Sequence, residues 1–165
     1  MVPSEKNDCL TNTSHLLHLH THRRFGTELS FTDAFTDPKQ HMMNTQEVAQ
    51  KLVEYCRNGQ FDQAYAELYH PNIVSVEPQG AAVERCEGID AVLAKNAQWN
   101  SMVEAFHGGT VSDPLVQDDH FTCAMSMDIT MKGAGRMDMS ELAVYQVADG
   151  KIVREQFFFT PMSQG

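Results

Sequence analysis

The feature that most constrains the fold of this chain is a change in the spacing of its apolar residues near residue 107. Before that point, apolar residues recur mainly every three or four positions, which is typical of one buried face of an α-helix. After it, they alternate with polar residues, which is typical of strands in a half-buried sheet. Because most of the helical signal precedes most of the strand signal, the pattern predicts an α+β domain with helices packed on one face of a sheet.

Three helices are predicted in the first part of the patterned sequence. The first begins at Asn44, which forms a capping-box pattern with Glu47, and it ends at Gly59. A second, short helix starts near Phe61 and is closed by Pro71, and the stretch GIDAVLAKNAQWNSMV predicts the third. The run NIVSVEP, between the second and third helices, predicts a strand.

Four strand-like runs follow, namely GTVSDPLVQ, HFTCAMSMDITM, RMDMSELAVYQV and KIVREQFFF. Short turn sequences separate them, so we expect an antiparallel meander. Alternation places Met127 on an apolar face of its strand and puts Met139 and Glu141 together on a face of the next. An acid in an apolar row must be paired, protonated or at the rim of a cavity, because burying a bare carboxylate is costly. A salt bridge from Glu141 to Arg136 or Arg154 is the structural alternative.

Composition excludes several classes of function. The net charge of -10 argues against a nucleic-acid partner and against a polybasic membrane contact. No apolar run approaches the roughly 20 residues that span a bilayer. The four cysteines have no metal-binding spacing and indicate buried thiols in a reducing compartment, and no secretion signal is evident, so we expect a cytoplasmic protein. Since no phosphate loop, nucleophile elbow or metal-ligand motif is present, no cofactor is expected.

Residues 1–42 differ from the rest because no helical or strand period can be followed through them. They contain five of the eight histidines, His15, His18, His20, His22 and His41. Clustered imidazoles can bind zinc, copper or nickel, but no carboxylate or thiol pattern completes a site here. We therefore predict a flexible N-terminal extension over residues 1–42 and one folded domain over residues 43–165.

Three stretches resemble the SnoaL-like branch of the nuclear transport factor 2-like superfamily. They are NGQFDQAYAELYHPNIVSVEPQG, GIDAVLAKNAQW and the closing VYQVADGKIVREQFFF. The resemblance covers about residues 44–160. It implies a cone formed by a strongly curved antiparallel sheet wrapped around three helices, with a deep pocket at the open end. It also implies a homodimer through the outer face of the sheet.

Within that superfamily, IVSVEP resembles the ATVEDP stretch of ketosteroid isomerase. The resemblance implies that Glu77 stands where the isomerase has its proton-shuttling aspartate, pointing into the pocket with Ser75. The isomerase's second acid falls on Ala143 here, and Glu141 is the nearest acid on that face. No tyrosine of the first helix matches the isomerase position. Its oxyanion hole is therefore not reproduced, and steroid isomerisation is not expected.

These considerations give a set of expected site residues. Glu77, Glu141 and His107 are the candidate catalytic residues, and a base of this kind needs a pKa raised by desolvation. The pocket would be lined by Tyr55, Tyr65, Trp99, Met127, Met139 and Phe157. The expected function is cofactor-independent isomerisation, cyclisation or dehydration of a small hydrophobic carbonyl compound. The alternative is a non-catalytic ligand-binding or dimeric association module, in which Glu77 is a solvated strand end and the aromatic residues are plain core.

Overall fold

The computed structural model describes residues 42–160. The histidines of the predicted N-terminal extension lie outside these residues. The described helices are α1 (Thr45–Arg57), α2 (Phe61–Leu68) and α3 (Ile89–Met102). The described strands are β1 (Tyr69–Val76), β2 (Arg85–Glu87), β3 (Val103–Val111), β4 (Leu115–Gln117), β5 (His120–Met131), β6 (Gly135–Ala148) and β7 (Lys151–Phe158).

The capping box predicted for α1 is confirmed. Oδ1 of Asn44 accepts a hydrogen bond of 3.0 Å from the Glu47 amide, and Oε2 of Glu47 accepts one of 2.8 Å from the Asn44 amide. These bonds satisfy two amide groups that an uncapped helix would leave without partners. Gly59 follows the helix with a φ of 68°, a conformation that glycine adopts without steric cost.

The boundary between α2 and β1 differs from the sequence-based expectation. The predicted helix included Tyr69, whereas α2 ends at Leu68 and Tyr69 begins β1. His70 precedes Pro71, and a residue before proline is driven toward extended backbone. Tyr69 then pairs with Ile152 of β7. His70 is therefore a strand residue rather than the end of a helix, and its Nδ1 accepts a bond from the Asn72 amide at 3.0 Å.

The sheet of the described residues has the order β2-β1-β7-β6-β5-β3, and β4 pairs with β5. Three of the four runs of the predicted meander are confirmed, because β5, β6 and β7 pair antiparallel in sequence order. The first run, GTVSDPLVQ, is instead divided between the end of β3 and β4, which both pair with β5. Strand β1 pairs parallel with β7, so the strongly curved, open sheet is mixed rather than wholly antiparallel. Shifts of register interrupt three of the strand pairings and are local irregularities of the kind that bend a sheet.

The two faces of the sheet have different environments. The inner face packs against the helices, and its residues include the buried Phe121, Cys123 and Ile129 of β5 and Ala143 and Tyr145 of β6. The opposite, outer face carries mainly polar and partly exposed side chains. No helix in the described part of the chain is long and apolar enough to cross a membrane.

Candidate functional site

Glu77 lies on the inner side of the sheet, next to a lysine of α3. Its amide continues the β1–β2 pairing by donating to the Glu84 carbonyl at 2.8 Å, one residue beyond the end of β1. Alternation with the buried Ile73 and Ser75 turns the Glu77 side chain inward. There its Oε1 lies 2.5 Å from Nζ of Lys95, and the two side chains are only 15% and 13% exposed. Glu77 is therefore not a solvated strand end.

A chain of hydrogen bonds leads from this ion pair into the core. Nζ of Lys95 also donates to Oγ of Ser75 at 2.8 Å. Ser75 stands opposite Glu155 in the β1–β7 register, and a side-chain hydrogen bond connects the two. The Tyr69 hydroxyl donates to Oε2 of Glu155 at 2.9 Å. Glu155 is 2% exposed, and burial raises its pKa above the ordinary value, while its two hydroxyl partners and Lys95 act in the opposite direction.

Glu141 is the third inward-facing glutamate. It lies on β6 opposite Met125 and on the same face as Ala143. Burial, followed by the nearby charge of Glu77, raises the Glu141 pKa from 4.5 to about 7, and Lys95 partly offsets this increase. Among the described residues, Glu141 has no hydrogen-bond or ion-pair partner. The two arginines considered as partners are bonded elsewhere, Arg136 to Asp128 and Arg154 to Gln156. The predicted alternative of a salt bridge to either arginine is not what the structure shows.

Several of the residues expected to line a pocket surround these acids. Phe157 places its ring 5.1 Å from Nζ of Lys95, which is cation–π distance. The Tyr65 hydroxyl accepts a bond of 2.6 Å from Nδ2 of Asn96, and burial raises the Tyr65 pKa. Met127 and Met139 face each other across β5 and β6, on the same side as Glu141.

The described side chains of Trp99 and Tyr55, the other two expected pocket residues, form no hydrogen bond with the three inward-facing glutamates. Trp99 is a partly buried residue of α3. Tyr55 is partly buried, and its hydroxyl donates to the exposed Glu67 of α2 at 2.8 Å.

His107 is not brought together with the glutamates. It is exposed on β3, and its Nε2 lies 2.8 Å from Oγ1 of Thr130, a residue of the outer face of β5. Asp128 lies on that face as well and accepts two hydrogen bonds from Arg136. The sheet separates this polar group from Glu77 and Glu141.

The outer face also carries a shallow groove of about 440 Å³ along β3, β5 and β6. Hydroxyl side chains form one part of it, with Thr110 and Ser126 hydrogen-bonded at 2.7 Å. Leu142 and Phe158, which are 43% and 48% exposed, form the apolar part. Exposed apolar side chains side by side on a sheet are a feature of association surfaces.

Sequence reasoning missed Lys95 and Glu155, although both had a usable signal. Lys95 lies three residues after Val92 and four before Trp99, so it shares their face of α3. Glu155 alternates with Phe157, which was itself expected to line the pocket. A charged residue within each apolar face was the sign that a buried charge needed a partner.

The fold and the inward-facing charges together define the class of this protein. It is an α+β domain with three helices on the inner face of a strongly curved sheet, and it carries acidic side chains between them. The SnoaL-like domain model matches residues 43–159, and the chain therefore belongs to the SnoaL-like family within the nuclear transport factor 2-like fold. None of the curated proteins is significantly similar to it in sequence.

Solved structures agree with this assignment. A candidate SnoaL-like polyketide cyclase from Mesorhizobium loti, also labelled a carbohydrate phosphatase, is 30% identical, with a TM-score of 0.65 over 71% of this chain and 100% of the other. A second candidate SnoaL-like polyketide cyclase, from Jannaschia sp. CCS1, is 15% identical, with a TM-score of 0.58 over 72% and 90%. A candidate isomerase from Bacillus subtilis is 22% identical, with a TM-score of 0.54 over 72% and 91%.

Proposed function

We propose that this protein binds a small hydrophobic carbonyl compound between α3 and the inner face of the sheet and moves a proton on it without a cofactor. The observation that carries the proposal is Glu141, a largely buried carboxyl group with a pKa of about 7 and no protein partner among the described residues. A general base works best when its pKa lies near the working pH, because it can then both take and return a proton.

In the proposed reaction, Glu141 accepts a proton from the carbon next to the carbonyl group and later returns a proton to the product. Removal of that proton sends negative charge to the carbonyl oxygen. A nearby cation stabilises such charge most effectively where water is largely excluded. Lys95 is the cation of this site, and its side chain is only 13% exposed.

The proposal divides the work of the two expected glutamates. The sequence resemblance gave the proton transfer to Glu77, whereas we assign it to Glu141. Oε1 of Glu77 is paired with Nζ of Lys95 at 2.5 Å, so this carboxylate is already engaged by a protein group. We therefore assign Glu77 the role of holding the ammonium group. His107 has no part in the proposal because it lies on the outer face.

The proposed substrate class is supported by the name of the structurally similar protein from Mesorhizobium loti. Its name includes polyketide cyclase. Polyketides carry carbonyl groups next to acidic C–H bonds, which are the bonds that a glutamate base would attack. Isomerisation, aldol-type cyclisation and dehydration can all begin with this step.

Deuterium exchange tests the first step by itself, whichever of these reactions follows it. Small enolisable ketones, such as acetophenone and acetylacetone, would be incubated with the protein in D₂O, and loss of the α-proton signal would be followed by NMR. We expect exchange above the buffer rate, and a reduction of about 100-fold or more in Glu141→Gln, since glutamine cannot accept the proton.

Asp128→Asn is the matched control, because it also neutralises one carboxylate but lies on the outer face with Arg136. It should leave the exchange rate unchanged, and so should His107→Gln. Equal exchange by the wild-type protein and by Glu141→Gln, with both proteins folded, would refute the proposed proton transfer.

A second function, association of two copies, is favoured by the outer face. We propose that Leu142 and Phe158, with the groove beside them, form a homodimer contact. Their exposure of 43% and 48% leaves apolar area that a second copy would cover. This role is compatible with proton transfer, because Leu142 and Phe158 are paired neighbours that alternate with Glu141 and Phe157 and so point to the opposite face of the sheet.

A further inference from the structure

Among residues 42–160, three glutamates face the helices, and one lysine, Lys95 of α3, lies against them and is shared unequally among them. Lys95 contacts Glu77 directly and reaches Glu155 through Ser75. Its charge also acts on Glu141, without an ion pair or hydrogen bond. The Lys95 ammonium group is carried on a flexible four-carbon stem, so its pairing with Glu77 depends on the other groups that hold it.

Ser75 lies between Lys95 and Glu155 and is hydrogen-bonded to both. Its hydroxyl oxygen accepts from Nζ of Lys95 at 2.8 Å, so its single proton is available for Glu155. Ser75 is 1% exposed on a central part of β1, where its partner in the parallel register is Glu155 itself. Backbone pairing therefore fixes the Ser75 Cβ beside Glu155, and the bonds to Lys95 and Glu155 orient the hydroxyl group.

Glu155 is held from its other side by a second rigid group. The Tyr69 hydroxyl donates to it at 2.9 Å, and the Tyr69 ring packs against Tyr65 with centroids 4.8 Å apart. A buried carboxylate that accepts from two hydroxyl groups is oriented as well as stabilised. The arrangement of Tyr69, Glu155 and Ser75 thus forms a fixed base for the Lys95 ammonium group.

We propose that Glu155 is a positioning residue which, acting through Ser75, holds Lys95 against Glu77 and so leaves Glu141 as the one inward-facing glutamate free to exchange a proton. This inference rests on the proposed function for the role of Glu141. It adds that the buried hydrogen bond between Ser75 and Glu155 determines which glutamate, Glu77 or Glu141, transfers the proton. If Lys95 moved to Glu141, their ion pair would lower the proton affinity of Glu141.

Other ionisable groups around Glu141 belong to several elements. They are Glu77 just after β1, Lys95 of α3, Glu155 of β7, Cys56 of α1, Tyr65 of α2, Cys123 of β5 and Tyr145 of β6. Burial raises the pKa of Cys56 to about 12 and that of Cys123 to about 11, and it raises the pKa of both tyrosines. Below these values the four groups are neutral near pH 7, so the charges that decide the state of Glu141 are those of Lys95, Glu77 and Glu155.

The variant Ser75→Ala tests the inference because it removes the bridging hydroxyl and leaves every charge in place. Glutamate side-chain carbons would be titrated by ¹³C NMR in the full-length protein, and the Lys95 ammonium group followed by ¹H–¹⁵N spectra. We expect the Glu141 midpoint to fall by about one pH unit as Lys95 is released toward it. The Lys95 ammonium signal should also broaden through faster exchange with water. Glu155→Gln should shift the Glu141 midpoint in the same direction.

Ser101→Ala is the matched control, since it also removes a serine hydroxyl, but an exposed one on α3 that donates to the Gln98 carbonyl and has no bond to Lys95 or Glu155. We expect it to leave the Lys95 signal and the Glu141 midpoint close to wild type. An unchanged Glu141 midpoint and Lys95 signal in folded Ser75→Ala would overturn the positioning role. A wild-type Glu141 midpoint near 4.3 would instead refute the proposed function, so the two failures are distinguishable.

Discussion

Glu141 links the chemistry of the site to the stability of the fold. Its pKa rises from 4.5 to about 7 on folding, so the folded protein holds a proton between these pH values that the unfolded chain has released. Stability therefore falls as the pH increases through this window. A shift of this size corresponds to at most about 3 kcal/mol, all of it lost above pH 7 and none of it below 4.5. Burial of Glu155 acts in the same direction.

This reasoning gives a prediction for Glu141→Gln, which cannot ionise. Between pH 5 and pH 8, the free energy of unfolding of the wild type should decrease, and that of the variant should decrease by about 1–3 kcal/mol less. Urea denaturation followed by circular dichroism at several pH values measures the difference. Parallel pH profiles for the two proteins would contradict a raised pKa for Glu141.

At the scale of single residues, alternation along β6 placed Glu141 among apolar neighbours, whereas the inward direction of Glu77 was implied by the family resemblance. Neither signal could show that Lys95 meets Glu77 or that Tyr69 meets Glu155, because the two residues of each pair belong to different parts of the fold. Lys95 reaches Glu77 from α3, and Glu155 reaches Tyr69 across 86 residues of sequence. Such pairings depend on the register between elements, which local periodicity does not contain.

At the scale of elements, β3 contains two adjacent glycines with different requirements. A Cβ on Gly109 would lie 2.6 Å from the carbonyl oxygen of Ser126 and 3.1 Å from the Phe106 ring. A Cβ on Gly108 would have nothing within 4 Å. The close pairing of β3 with β5 therefore requires a glycine at position 109, whereas position 108 has room for a side chain.

We accordingly predict that Gly109→Ala destabilises the protein by about 1–3 kcal/mol, because β3 must move away from a backbone atom. The adjacent Gly108→Ala should be neutral or slightly stabilising, since alanine restricts the unfolded chain. Thermal or urea unfolding of the two variants provides the comparison. Equal losses in both would show that the close approach to Ser126 does not limit the strand.

The elements themselves were predictable where a periodic signal was long. The three helices and the meander of β5, β6 and β7 follow from such signals, and the capping box at Asn44 fixed the start of α1. Strand β2 was missed because three residues are too few for a period. The early end of α2 was missed because Tyr69 fits both a helical face and the pairing with β7.

At the scale of the whole molecule, the proposed homodimer has a direct test. Leu142→Glu would place a charge in the apolar part of the outer face, and burying it against a second copy would be costly. We expect the wild type to sediment as a dimer and Leu142→Glu as a monomer in analytical ultracentrifugation. Phe61→Glu is the control, since Phe61 is exposed at the start of α2 and outside this face. A dimer that survives in Leu142→Glu would exclude this contact.

The overall architecture was predictable because the order of helices and strands leaves few ways to bury both sets of apolar faces. The parallel contact of β1 with β7 was not, because it joins the earliest strand to the last one and no turn connects them.

That same contact has a consequence for how the protein is made. During synthesis, α1, α2 and β1 leave the ribosome long before β7, the strand against which β1 is seated. Until the final strand emerges, Ser75 and Tyr69 have no Glu155 to bind, and the early apolar surface has only part of its eventual cover. The domain should therefore complete its folding only once β7 has emerged, which makes the partly synthesised chain the stage most exposed to aggregation and chaperone capture.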